Sequence, residues 1–559
     1  MSRKWTLLLL AATAATSLAQ DSIAEKVDGM TKVDGLFTTY QSEKKNSIKA
    51  VLQPDDFKQY LTFSAIRTGL GSNDIGLDRG KLGPQYVIEI KRMADKVLFM
   101  VPNLGFRAEQ GSAGERKSIQ EAFAPSVLWA TGVEAEDADG SVLIDLTPFI
   151  IRDAHGVTRS LPGQGASLNA SMSAIDFDEC LSFPKNLEFE AMLTFKVGSP
   201  NGFVRSTVEI AESWSVVQHQ TIMELPDDGY NRREFDTRVG AFSLSFQDYS
   251  VPLTQSIVKK YAVRHRLSKD GENSLTYYVD HAAPEPVRSA LVDGAKWWDQ
   301  AFQAAGFNFN VEILPEDVHP LDARYNVIQW VHRSTRGWSY GSSVVDPRTG
   351  EIIKGHVSLG SLRVRQDRLI FEGLLGTEKT GSGEADDPVQ LSLARIRQLS
   401  AHEIGHTIGL AHNFAASTYH RGSVMDYPAP DVKVTDGAID VSDCYGVGIG
   451  AYDIQAIRWL YTEFDNETQE RIEQQAIVRS MQNDGLLFLS DSDSRSPGAA
   501  DPRSNLWDNG SDAVQGLKTA MDVREIALAN FGRHNLPEEQ PLALLQEVFV
   551  PIYLFHRYQ

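Results

Sequence analysis

Apolar residues between Lys26 and Leu267 come in short runs, such as Tyr86-Val87-Ile88-Glu89-Ile90, Val97-Leu98-Phe99-Met100-Val101 and Val142-Leu143-Ile144, set apart by Gly, Asn, Asp and Pro. Runs of this length bounded by turn residues read as strands, so residues 20–267 are expected to form a β-rich N-terminal domain. One loop inside it, Gly69 to Gly80, has the glycines of a tight backbone path. It lacks both the strand-to-helix setting and the Lys-Ser/Thr of a phosphate site, and reads as a structural or interface loop.

The pattern changes after the polar cluster Ser268 to Asn273. A strand from Leu275 to Val279 is followed by Pro284-Glu285-Pro286. These open one long helix with apolar positions Val287, Leu291, Ala295, Trp298 and Phe302, ending at Gly306. Strands at Asn310 to Leu314 and Tyr325 to Val331 come next, then a hairpin from Tyr340 to Leu359 turning at Asp346 to Gly350. A polar loop, Gly376 to Asp387, precedes a helix from about Leu391 to Gly409, and a helix Tyr452 to Tyr461 closes a unit spanning 268–465. Residues 466–559 read as mostly helical, apart from an Asp/Ser/Pro/Gly-rich connection between Ser490 and Asp512. No internal repeat has a solenoid or propeller period. The expected architecture is α+β and multidomain.

Composition narrows the function classes. Hydrophobic residues make up 42% and charged residues 23% of the 559 residues, an ordinary globular balance. Lys+Arg number 54 against 74 Asp+Glu, a net charge of −20. That acidity argues against binding nucleic acid or anionic lipid, both of which need a basic surface. Residues 1–19 read as a signal peptide: Arg3 and Lys4, the apolar run Trp5 to Leu10, then small residues to Ala19. No later stretch is long and apolar enough to span a membrane. The chain is therefore expected to be exported to a periplasmic, cell-surface or extracellular location. The two cysteines, Cys180 and Cys444, could form one long-range bridge in an oxidising compartment. The acidic surroundings of Cys180 disfavour its thiolate.

The chemistry concentrates at His402-Glu403-Ile404-Gly405-His406-Thr407-Ile408-Gly409-Leu410-Ala411-His412. On a helix, His402 and His406 lie one turn apart on the same face, and Glu403 lies roughly 100° around from His402. Ile404 and Ile408 point toward a core. Gly409 permits the left-handed turn that stops the helix and lets His412 approach the same ion. Three neutral nitrogens with one open position describe a catalytic Zn2+ site, because a structural site would normally be closed by a fourth protein ligand. A carboxylate beside such an ion, here Glu403, suits a general base.

This run resembles the extended zinc motif of the metzincin metallopeptidases, and Ser423-Val424-Met425-Asp426-Tyr427-Pro428 is similar to their Met-turn. The resemblance implies a twisted mixed sheet with an active-site helix. It makes Met425 an apolar support under the histidines and Tyr427 a residue that can bind zinc or stabilise the oxyanion. Asn413 departs from the Asp or Glu that many metzincins carry after the third histidine. Together with Asp34 to Phe37, Gly69 to Asp74, Ser400 to Ala416 and Tyr452 to Tyr461, the chain resembles large secreted bacterial zinc metalloproteases with uncharacterised flanking domains. Members of that group extend further, and Tyr553 to Gln559 stops inside an apparent helix, which reads as a C-terminal truncation.

A protease of this kind holds an extended peptide as an added strand. Ile352 to Leu359 is the candidate edge strand for that role, with an ordinary sheet strand as the alternative, and His356 within it is expected on the sheet surface rather than as a fourth ligand; His420 is not expected to be a ligand either. Asp491, Asp493 and Asp501 could take Ca2+, although their spacing misses an EF-hand and a solvated acidic loop is the simpler reading. The expected activity is zinc-dependent cleavage of a protein or peptide substrate. A zinc-containing binding or scaffold protein and a hydrolase of a non-peptide amide, as in the cell wall, are the alternatives. Oligomeric state is not legible.

Overall fold

The computed structural model describes residues 22–499, 501–557 and 559; the expected signal segment lies outside them. Thirteen strands between Thr31 and Glu224 share one antiparallel sheet. Its logic is visible in Asn186–Val197, where side chains alternate between faces. Leu187, Phe189, Ala191, Leu193, Phe195 and Val197 all enter one apolar core with Tyr60, Ile88, Phe99 and Phe149. The opposite face buries Glu188 and Glu190 against His219 of the neighbouring strand, Ser213–Glu224. Val258–Ala262, Ser243–Asp248 and Phe106–Arg107 form a separate three-stranded sheet.

A six-stranded sheet follows, in the order Arg264–His265, Glu351–Gly360, Asn326–Val331, Ser274–Val279, Asn308–Ile313. These pairings are parallel, while Tyr340–Val345 joins Glu351–Gly360 antiparallel, so the sheet is mixed. Two expectations change here. Ile352 to Leu359 is not an edge, because its strand is paired on both sides; Tyr340–Val345 is the edge strand. For the same reason His356 is not on the surface but fully buried, its ring against Gln329.

The long helix expected from Val287 to Gly306 is divided into Val287–Lys296 and Asp299–Ala305. At the junction the amides of Trp297 and Trp298 bond three residues back, a local tightening, and Trp298 Nε1 donates to Ala401 O at 2.8 Å. A Cβ at Gly294 would stand 2.0 Å from Arg397 O, so the first of these helices crosses Pro388–Thr407 with backbones almost touching. Trp298, Phe302, Ile396, Ile404, Ile408, Tyr452 and Trp459 then fill one core over the mixed sheet.

A helix not anticipated, Leu362–Leu375, carries Phe371 and Leu374 into a smaller core with Val523, Ala527 and Ile552 from Ala513–Asn530 and Leu545–Tyr553. Cys180 lies in the N-terminal core and Cys444 in this C-terminal one, so the bridge does not form; burial holds both free thiols up to about 12.

The loop from Gly69 to Gly80 joins the two halves. Asp78 accepts from Arg333 Nε at 2.8 Å and from the Tyr340 hydroxyl at 3.1 Å, Arg79 reaches Asp280 at 3.2 Å, and Asn73 donates to Trp338 O. No helix among the described residues is long and apolar enough to cross a membrane.

Candidate metal centre

Pro388–Thr407 starts at a side-chain cap, Asp387 accepting from the Val389 amide at 2.8 Å, with Pro388 in the first helical position where its missing N–H costs nothing. At the other end Gly409 takes φ +105°. A Cβ there would also stand 2.2 Å from Val263 O, so the position excludes larger residues twice over. Beyond the turn, Leu410 bridges to Ala241 and the Ala411 amide donates to Gly240 O at 2.8 Å. Those contacts carry His412 back over the helix.

His402, His406 and His412 therefore converge, their ligand atoms lying within 4.8 Å of one another. Each ring commits its Nδ1 elsewhere: His402 to Val424 O at 2.7 Å, His406 to Leu410 O at 2.8 Å, and His412 to an Asp491 carboxylate oxygen at 2.6 Å. A carbonyl or carboxylate can only accept, so each Nδ1 carries the proton and each Nε2 turns a lone pair inward. His402 Nε2 is buried without a hydrogen-bond partner, and the Nε2 atoms of His406 and His412 are 3.2 Å apart. Tetrahedral ligands about 2.0–2.1 Å from one zinc ion stand roughly 3.3 Å apart. Burial, then the neighbouring rings, holds His402 well below its ordinary range; burial and His412 hold His406 near 3. Neutral imidazoles are the form a metal takes. The donor set fits zinc.

Met425 is fully buried against the helix that carries His402 and His406, where a Cβ on Gly405 would lie 2.1 Å from its sulfur. Asp453 fixes that turn by accepting from the Ser423 hydroxyl at 2.5 Å and the Val424 amide at 2.8 Å. Tyr427 sits with its ring 5.2 Å from that of His402 and 4.6 Å from that of His412, stacked on Trp507 at 4.8 Å. Burial and then Glu403 raise its phenol to about 12. Glu403 is buried beside the triad. Burial raises its carboxyl to about 8, against Arg395, the Gly341 amide that bonds it, Arg333 and Arg363. Glu403, Tyr427 and Arg395 line a cleft of about 1550 Å³.

Asp491 has a place in the site that the sequence did not disclose. Rather than joining Asp493 and Asp501 around calcium, it turns to His412, while Asp493 accepts from the Ser490 amide and Asp501 pairs with Arg503. Among the described residues these three form no group placed to hold an ion. Asn413, the departure from the motif, is buried and bonds Tyr419, Leu487 and Leu489, so the carboxylate beside the third histidine comes from 79 positions later. His420 lies in a left-handed turn, exposed and outside the triad.

A second His/Glu group, Glu190, His219 and His319, also brings possible ligands together. Both His219 nitrogens face carboxylates, Nδ1 to Glu190 at 3.0 Å and Nε2 to Glu188 at 2.8 Å, and Arg67 pairs with Glu190. An imidazolium donating twice has no lone pair for a metal.

No curated protein matches the chain. Residues 80–270 match a family described as a domain of unknown function. Residues 384–559 match the family described as Met-zincin. That second span contains all three histidines, Gly409 and Met425, and the chain thus carries a metzincin-type domain whose histidine triad points to a zinc metallopeptidase.

Proposed function

We propose that the protein is an exported zinc-dependent endopeptidase in which Glu403 is the general base. The observation that carries this reading is the inward aim of three Nε2 lone pairs, each fixed by an Nδ1–H donor bond, beside a buried carboxylate. When bound by His402, His406 and His412, zinc supplies the Lewis acidity that polarises a peptide carbonyl and acidifies water. Glu403 takes the proton from the attacking water and returns it to the departing amine. Tyr427, kept protonated, donates a hydrogen bond to the oxygen that gains charge.

An extended substrate pairs with the outer side of Tyr340–Val345, whose Gly341 approaches the helix closely enough that a Cβ would meet Glu403 O at 2.2 Å. Only the first part of that strand is open, because Val344 packs against Leu61, Phe63 and Val87 of the N-terminal sheet and Gln85 accepts from the Val345 amide. Export rests on the signal-like residues 1–19.

The test compares zinc content and peptide-library cleavage in the wild type, Glu403→Ala and His406→Ala. Glu403→Ala should keep the metal and lose turnover; His406→Ala should lose both. Full turnover by Glu403→Ala refutes the base, and cleavage of peptidoglycan but no peptide moves the enzyme to another amide.

A further inference from the structure

Arg395 lies eight residues before Glu403 on the same helix, and Arg395, Leu399 and Glu403 make one stripe along the cleft wall. Its side chain is 2% exposed, yet Nε and Nη1 have no hydrogen-bond partner. Unpaired guanidinium groups in an interior are costly, since a buried charge is normally matched by a carboxylate or by carbonyl acceptors. Neither neighbouring carboxylate, Asp367 or Glu403, bonds those two nitrogens. Asp367 is committed through Oδ2 to Arg363 Nε at 3.0 Å, its Oδ1 is itself unpartnered, and Glu403 is the base. Arg363 and Arg395 share Asp367 and Glu403 as neighbouring charges on this wall, and Arg395, which lines the cleft, still has two donors unmet.

Resting on the reading of the site as a peptidase, we propose that Arg395 is a specificity residue that binds a carboxylate of the substrate. A guanidinium presents a planar fork that a carboxylate fits with two parallel hydrogen bonds, and such pairs are the strong ones in a dry site. Eight residues of helix rise about 12 Å. An extended peptide advances roughly 3.3 Å per residue, so the recognised group lies within about four residues of the bond cut. Its source is an Asp or Glu side chain or a free C-terminal carboxylate; the chemistry is the same.

The experiment uses zinc-loaded full-length protein and matched peptides. One arm varies an internal Asp or Glu against Asn or Gln with an amidated C-terminus, and the other varies a free against an amidated C-terminus with neutral side chains. In one arm the wild-type kcat/KM ratio of acid to amide should be at least about 30-fold, and that ratio should collapse toward one in Arg395→Met and survive in part in Arg395→Lys. Binding of the same peptides to Glu403→Ala by calorimetry should show the same ratio without turnover. Because Arg395→Met removes an unsatisfied buried cation, its Tm should hold or rise, whereas a structural arginine would lower it. Wild-type ratios near one in both arms overturn this inference while leaving the peptidase reading intact. Absence of any peptide cleavage together with peptide binding that prefers the acid would uphold the carboxylate site and sink the peptidase reading.

Discussion

Asp491 does for His412 what the carbonyls of Val424 and Leu410 do for the other two rings: it fixes the tautomer and the direction of the remaining lone pair. It is the only charged member of that outer layer, and removing it should matter more to the metal than to the fold. Asp491→Ala is expected to weaken zinc binding about 10- to 100-fold in chelator competition, with the far-UV spectrum retained; unaltered affinity would remove Asp491 from the site. On the proposed mechanism, Tyr427→Phe should keep zinc and lose on the order of 10²-fold in kcat, because the donor assigned to the charged oxygen is deleted. The triad could be read from the sequence because its geometry is local: two histidines one helical turn apart, a glycine stop and a third histidine. Asp491 could not. It stands 79 positions away in a stretch where carboxylates equally suit calcium, solvent or a helix cap. Arg395 was within reach, since its spacing from Glu403 is helical, but nothing in a sequence reveals that a guanidinium lacks partners.

At the scale of the element, the helix Pro388–Thr407 and the Met-turn are interlocked through a glycine. Gly→Ala inside a helix ordinarily gains about 1 kcal/mol of stability. Here the new methyl would meet Met425 Sδ at 2.1 Å, so Gly405→Ala should instead cost about 1–3 kcal/mol in denaturant unfolding; a stabilised variant would disprove the tight seat. The same helix illustrates what pattern alone conveys. Its register and end were readable from apolar spacing and Gly409, and the hairpin Tyr340 to Leu359 from its turn residues. Which strand lies at the edge was not readable, because period-two text describes faces and says nothing of neighbours. Glu351–Gly360 is buried along almost its whole length although Glu351, Lys354, His356 and Ser358 interrupt its apolar residues, and the true edge reads only as Tyr340-Gly341-Ser342-Ser343-Val344-Val345.

At the scale of the molecule, the N-terminal sheet meets the C-terminal half through buried charge. His219 lies between Glu188 and Glu190, with the His319 ring, from the C-terminal half, stacked on it at 5.8 Å. Burial lowers the His219 pKa, but bonds to Glu188 and Glu190 outweigh it and raise the group to about 9. A histidine raised on folding stabilises fully below its unfolded pKa near 6.5, and the contribution is lost as pH rises through 9. Lys354, brought down to about 7 by burial, acts in the opposite sense over part of this range, so the comparison must be with a variant. The stability difference between wild type and His219→Gln should shrink by on the order of 3 kcal/mol between pH 6 and pH 9.5. A constant difference in denaturation at the two pH values would exclude a charged His219. The β-rich character of this half was legible from its short apolar runs. Its pairing of Glu188 and Glu190 with one histidine was not, because the alternation predicts polar positions facing solvent and here they face a second layer of protein.

The bond from His412 to Asp491 also has a temporal side. Translation delivers the three histidines well before it delivers the carboxylate that aims the last of them, and a growing polypeptide passes through a stage in which its ion site is incompletely oriented. A chain cut between His412 and Asp491 would accordingly keep all three donors and lose the carboxylate that aims the last of them.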